Sequence, residues 1–207
     1  YIARGTYSFA DKYLLTTTLR ADASSRFRAV NRWKLFPSLG LGWVASEESF
    51  FKPLSKKIDF LKIKAAWGKQ GNDKIGDYLQ YPTIHPKGAQ VVVNGNVYYL
   101  PTTDYEVDPN LSWEVVSGFD AGFDSKFLNN RLSFDFGYYN KSTNGLLAYV
   151  PGSAGASTYK ITNAGSINNQ GIEYVLSWQD KIGNFGYTIS TNGSTIKNKV
   201  TSLGNEN

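Results

Sequence analysis

Along this chain, apolar and polar residues repeatedly alternate with a period of two. In Leu132-Ser133-Phe134-Asp135-Phe136-Gly137-Tyr138-Tyr139, one parity reads Leu132, Phe134, Phe136, Tyr138 and the other Ser133, Asp135, Gly137, Tyr139. A strand sends successive side chains to opposite faces, so such a segment has one apolar and one polar face. The pattern recurs at Tyr13, Leu15, Thr17, Leu19; at Leu39, Leu41, Trp43; at Leu61, Ile63, Ala65, Trp67; and at Val115, Phe119, Ala121, Phe123. It returns at Ile172, Tyr174, Leu176, Trp178 and at Phe185, Tyr187, Ile189. With an opening strand over Ile2 to Phe9, the pattern predicts about eight strands.

The connections alternate too. Short ones sit at Ala10, Leu128 and Asp180, and long ones begin near Asp22, Gln70 and Asn144. In an up-and-down meander, alternate connections lie on opposite rims, so one rim carries long loops and the other short turns. A Greek-key sandwich gives no reason for that segregation. One connection breaks the period. Ser46-Glu47-Glu48 looks like a helix start, with Phe50, Phe51 and Leu54 forming one side and Pro53 limiting its length. The longest insertion, 70–112, contains Asn94-Gly95, a type I′ hairpin signal between Val91-Val92-Val93 and Val97-Tyr98-Tyr99. A second long loop is expected over 144–170.

Charge sharpens the picture. Arg20, Lys62, Lys64, Glu114, Asp120, Asp124, Asp135 and Glu173 all fall on the polar parity, and no charge is expected on the apolar one. A lipid-facing surface requires this, because Arg or Lys at mid-bilayer costs roughly 2–4 kcal/mol. A soluble core would exclude charge as well. Phe9, Tyr13, Phe127, Trp178 and Phe185 flank the short turns like an interfacial girdle, and Trp33 suits an anchor on the outer rim. Mean hydropathy is −0.35 and no apolar run is long enough for a membrane helix. A transmembrane barrel hides its apolar residues in every second position. Met is absent and Tyr stands at position 1, which gives the expectation of a processed product or interior piece of a longer protein.

Enzymatic chemistry is disfavoured. There is no Cys, and His85 is the single His, so neither a Cys/His pair nor a multi-His metal site can be built within the chain. His85 reads as an ordinary loop residue. Asp120 and Asp124 lie on one strand face roughly 13 Å apart, beyond glycosidase spacing. No cofactor is expected. The net charge of +5 is spread without a basic run, which argues against nucleic acid. For substrate contact the candidates are Tyr98, Tyr99, Asp104 and Tyr105, because aromatic faces stack on sugar rings and a carboxylate accepts hydroxyl hydrogen bonds. The competing reading of these residues is loop packing or docking of a lid protein.

Several stretches resemble the barrel of SusC/RagA-type TonB-dependent transporters. They begin with Asp11-Lys12-Tyr13-Leu14-Leu15 and Leu19-Arg20-Ala21-Asp22-Ala23-Ser24-Ser25-Arg26-Phe27. Asn31-Arg32-Trp33, Phe36-Pro37-Ser38, Gly68-Lys69-Gln70-Gly71-Asn72 and Leu128-Asn129-Asn130-Arg131-Leu132 continue the series. Asn163-Ala164-Gly165-Ser166-Ile167-Asn168-Asn169-Gln170-Gly171 closes it. Ala23 departs from the family's usual Gly. The resemblance implies an all-β fold: eight antiparallel strands of a barrel of roughly 22, a size whose lumen is plugged. Residues 1–207 would then be one partial barrel domain lacking plug and N-terminal regions, with 70–112 and 144–170 as extracellular loops. It further implies import of oligosaccharides or peptides across a bacterial outer membrane. The implied partners are membrane lipid, a SusD-like lipoprotein capping the mouth, and TonB acting through the plug. The residues alone leave two alternatives open: a secreted β-sandwich that binds carbohydrate, and another outer-membrane barrel such as a porin or adhesin translocator.

Overall fold

The computed structural model describes residues 1–77, 79–81, 83–152 and 159–203. Pro82 and the middle of the expected 144–170 loop lie outside the described residues. The main sheet is built from β1 (Ile2–Phe9), β2 (Tyr13–Ala23), β3 (Trp33–Val44) and β4 (Ile58–Asn72). The chain then makes β5 (Ile84–Val93), β6 (Asn96–Thr103) and β7 (Tyr105–Val107) before returning to the sheet as β8 (Glu114–Phe127) and β9 (Leu132–Asn144). After β10 (Leu147–Pro151) and β11 (Tyr159–Asn163), it closes with β12 (Ser166–Ile182), β13 (Phe185–Ser194) and β14 (Lys197–Ser202).

The sheet order is β1-β2-β3-β4-β8-β9-β12-β13, and every neighbouring pair is antiparallel. β13 pairs the lower half of β12 and β14 its upper half. Thr195 bridges the interruption, donating its N–H to the Ile172 carbonyl at 2.9 Å and accepting from the Ile172 N–H at 3.3 Å. These two strands therefore make one eighth stave, and the sheet is an up-and-down meander as the alternation predicts.

Register carries the apolar parity across the whole sheet. Tyr7, Leu15, Leu41, Ala65, Ala121, Tyr138 and Ile172 stand opposite one another in a continuous row. A one-residue slip would move every side chain to the other face, so this alignment is a strong constraint. Among the described residues, no second sheet covers the row: Leu41 is 52% exposed and Ile189 is 66% exposed. A β-sandwich buries its apolar faces against each other. The sandwich alternative is therefore overturned.

Turn chemistry sets the rims. Asn94 and Gly95 have φ of 52° and 79°, as a type I′ turn requires. Ala10 and Asp11 also take positive φ, as do Leu128, Asn129 and Asn130. Close strand approach demands glycine at 122, where a Cβ would lie 2.1 Å from the Phe136 carbonyl oxygen. Ala23 pairs with Trp33 in extended backbone, so its departure from glycine carries no strain.

Three expectations are corrected. Ser46-Glu47-Glu48 opens no α-helix; the connection holds two three-residue 3₁₀ turns, Ala45–Glu47 and Ser49–Phe51. Pro53 lacks an N–H donor, and the Glu48 carboxylate is turned away to accept hydrogen bonds from Tyr13 Oη at 2.6 Å and Trp43 Nε1 at 3.3 Å. Phe51 is buried while Phe50 and Leu54 stay exposed, so no common apolar side forms. Second, β12 begins at Ser166, so the last part of the stretch read as loop 144–170 is strand. Third, Lys69 falls on the apolar parity, where no charge was expected, pairing with Ser117 two residues beyond the Trp67–Phe119 pair.

Candidate functional site

The polar parity lines the inner face of the sheet, around a cavity of about 510 Å³ bordered by Lys62, Lys64, Asp120, Asp135, Tyr139 and Glu173. The register explains how they meet. Lys62 stands opposite Asp124, and Asp124 opposite Asp135. Like charges directly opposite each other destabilise a sheet, and a cation offsets that cost. Lys64 supplies it through an ion pair with Asp124. Lys141 approaches Asp120 at 3.9 Å. The Asp124–Asp135 juxtaposition was missed in the sequence, although counting outward from the Phe127–Leu132 pair around the turn reveals it. The result is a charged wall. Among the described residues, no group of three or more His, Cys, Asp or Glu side chains is placed to hold a metal ion.

At the rim of long connections, the loops fold onto one another. Phe27 from the β2–β3 connection, Phe36 at the top of β3, Leu111 and Trp113 before β8, and Ile161 of β11 form the buried hydrophobic cluster. Phe27 and Phe36 pack against the Trp113 ring at 5.4 and 5.5 Å between centroids. Backbone groups stranded in these loops need partners, and side chains supply them. Trp113 Nε1 donates to the Arg32 carbonyl at 3.2 Å, and Asn31 Nδ2 to the Leu111 carbonyl at 3.2 Å. Asn163 accepts from the Ser112 N–H at 2.7 Å and donates to the Ser112 and Gly145 carbonyls at 2.8 and 2.9 Å. Buried Asp108 accepts from Thr162 Oγ1 and from the Asn110 N–H, the latter at 2.9 Å. Arg26 Nε donates to Asp77 Oδ1 at 2.8 Å, which pushes its guanidinium pKa up. Parallel pairing of β7 with β11 ties two loops directly.

This crown holds the β5–β6 hairpin by its base. Tyr98 stands opposite Val91, and Tyr99 opposite Gln90. Adjacent residues of one strand point to opposite faces, so the two rings cannot grip one ligand from the same side. Lys87 Nζ lies 5.5 Å from the Tyr99 ring centroid. Asp104 is hydrogen-bonded to His85 Nε2 at 2.8 Å across the hairpin base. Tyr105 is buried, stacks on Tyr159 at 6.2 Å and donates its hydroxyl to the Tyr81 carbonyl at 2.6 Å. The structure therefore does not gather the four candidate residues into one site. It leaves two rings exposed on a hairpin and uses the other two residues to fasten it.

A family model described as TonB dependent receptor-like, beta-barrel, matches residues 2–206. The chain is 34% identical to TonB-dependent receptor SusC of Bacteroides thetaiotaomicron, over 98% of this chain and 21% of that protein. It is 32% identical to TonB-dependent receptor P26 of Formosa agariphila, over 99% of this chain and 20% of that protein. The chain thus spans about a fifth of the length of these relatives. Among solved structures, the RagAB peptide importer in its closed-closed state superposes with a TM-score of 0.82 at 26% identity. That match covers 99% of this chain and 22% of the other. The siderophore receptor PirA from Pseudomonas aeruginosa shares the fold, with a TM-score of 0.54 at 16% identity over 96% of this chain and 36% of that one.

Proposed function

The chain belongs to the TonB-dependent receptor-like β-barrel family, and from that premise we propose that it forms wall and outer loops of an importer of bulky nutrients. The cargo is an oligosaccharide or a peptide, carried across the outer membrane. TonB drives transport through a plug supplied by other parts of the protein, and a SusD-like lipoprotein closes over the long-connection rim, which faces the cell exterior.

The observation that carries this reading is the asymmetry of the two rims. The short-turn rim carries three tight turns and one longer connection, 45–57, which holds two three-residue 3₁₀ turns. The other rim invests its residues in a braced crown that presents the β5–β6 hairpin. Long loops in compact domains are usually functional. A rigid platform with exposed aromatics suits a gripping or lid-docking role, and the wall itself needs no covalent chemistry. In this reading one face of the hairpin, with Tyr98, meets the lid, and the other, with Tyr99 and Lys87, meets cargo. Asp104 and Tyr105 position the hairpin.

The test is growth of the source bacterium, with the full-length gene deleted, on single oligosaccharide or peptide pools as sole nutrient. Loss of growth on one pool, restored by the intact gene but not by one lacking residues 84–103, is the expected result. Unimpaired growth on every such pool would sink the importer reading. Rescue by the hairpin-less protein would sink the role of Tyr98 and Tyr99 alone.

A further inference from the structure

Above the apolar belt, at the long-connection rim, the outward face changes character within two rows. The belt's upper row runs Trp67, Phe119, Asn140, Gln170, Lys197. The next row runs Lys69, Ser117, Ser142, Asn168, Lys199. These side chains share the outward parity, and Lys69 Nζ lies over the ring of outward-facing Trp67 at 6.0 Å from its centroid. All three lysines are exposed. Among the described residues, none of them pairs with a carboxylate.

Among the described residues of the sheet strands, no acid shares this face of the rim. Glu114, Asp120, Asp124, Asp135 and Glu173 fall on the inward parity. Asp180, on the outward parity, sits at the opposite end beside Arg131 at 3.5 Å. The wall therefore offers lipid an apolar belt bordered on one side by three cations that have no carboxylate partner among the described residues and stand among hydroxyl and amide groups. Tryptophan under a lysine is an arrangement suited to the membrane boundary, where the ring sits at headgroup level and the long stem carries its charge outward.

We infer that this outward rim docks phosphorylated lipid headgroups. Lys197 and Lys199 stand two residues apart on one face, roughly 7 Å, close enough to share one phosphate. Lys69 lies four strands away from Lys199, roughly 19 Å, and takes a neighbouring headgroup. Charge complementarity selects this occupant: a band of cations immediately above apolar surface matches an anionic headgroup above its own acyl chains. The inference rests on the outward assignment of the apolar face and not on what the protein transports.

The test uses the full-length protein in neutral detergent, with bound lipid read by native mass spectrometry. Diphosphoryl lipid A, phosphatidylcholine and inorganic phosphate are the probes. The native protein is expected to prefer lipid A over phosphatidylcholine, and to lose that preference in high salt as screening removes it. The combined Lys69→Ser, Lys197→Ser, Lys199→Ser variant is expected to lose about fivefold per lysine, roughly a hundredfold in all. Lys52→Ser, Lys56→Ser, Lys57→Ser removes the same charge from the exposed short-turn rim and is expected to keep lipid A binding. Unchanged affinity in the first variant, equal loss in the second, or a salt-independent preference would overturn the inference. Displacement of lipid A by inorganic phosphate at comparable concentration would overturn it in favour of a free-anion site.

Discussion

The wall and the crown solve the burial problem in opposite ways. The wall leaves its large apolar side chains on the surface, with Leu41 52% and Ile189 66% exposed. The crown buries its own, with Phe27 at 0% and Ile161 at 4%. Both are β-rich parts of one chain, so secondary structure does not explain the contrast; the surrounding medium does. Residues that meet water at the rim must build a core of their own, because apolar area removed from water is what stabilises them. Residues of the belt meet hydrocarbon, where exposure costs nothing and backbone satisfaction matters most. Ladder pairing between neighbouring staves across the rows of the belt provides that satisfaction.

The most severe break of this contrast is Trp113→Ala in the full-length protein. It empties the centre of the crown and is expected to cost about 3–5 kcal/mol of crown stability. Limited proteolysis will show cleavage in the loops while the wall keeps its strand circular dichroism. Next comes a matched pair on one strand. Ala65→Arg places a cation on the outward face and is expected to destabilise the reconstituted barrel by roughly 2–4 kcal/mol in urea unfolding. Ala66→Arg, on the inward face one residue on and bordering the same cavity as Asp120, is expected to be much milder. Equal effects at 65 and 66 would show that the two faces share one medium.

Smaller is Asn163→Ala, which leaves the Ser112 N–H and two carbonyls without their partner and is expected to cost about 1–3 kcal/mol. Amide hydrogen exchange at Ser112 would report it. The smallest effect is on the short-turn rim. Hydrogen bonds from Tyr13 and then Trp43, with Lys12 nearby, hold the Glu48 carboxyl pKa below its ordinary value. A lowered folded pKa means the contribution is present above the unfolded value, about 4.3, and is lost as pH falls through the folded one. Glu48→Gln should therefore narrow its stability gap to the native protein as pH drops below about 4. A gap that stays constant with pH would exclude the carboxylate as its source.

How much of this was legible in advance depends on the range of the signal. Strand positions were, because period-two alternation is local and each segment declares its own two faces. The Asn94-Gly95 turn was, because only residues tolerant of positive φ fit there. The helix expected from Ser46 was not, because the fate of Glu48 depends on Tyr13, which lies far away in sequence. The parallel β7–β11 contact carries no local mark at all, since it joins three-residue partners more than 50 positions apart. The candidate residues suffered the same way. Tyr98 and Tyr99 were recognisable as exposed loop aromatics, but their opposite facing follows from the hairpin register, and the burial of Tyr105 from a loop it meets only in the fold.

What the chain's own order of residues determined, then, is an all-β meander with one apolar face, one charged face and two unequal rims. Alternation and turn chemistry are properties of neighbours, and they act before any tertiary contact forms. Only the tertiary structure decided that the apolar faces align into one uncovered belt, that Asp124 meets Asp135, that three long connections share a core, and that Lys69 joins Lys197 and Lys199 along the outer rim. Those outcomes depend on which strand lies beside which and in what register, and pairing across four strands is a sum of distant contacts that no local window contains.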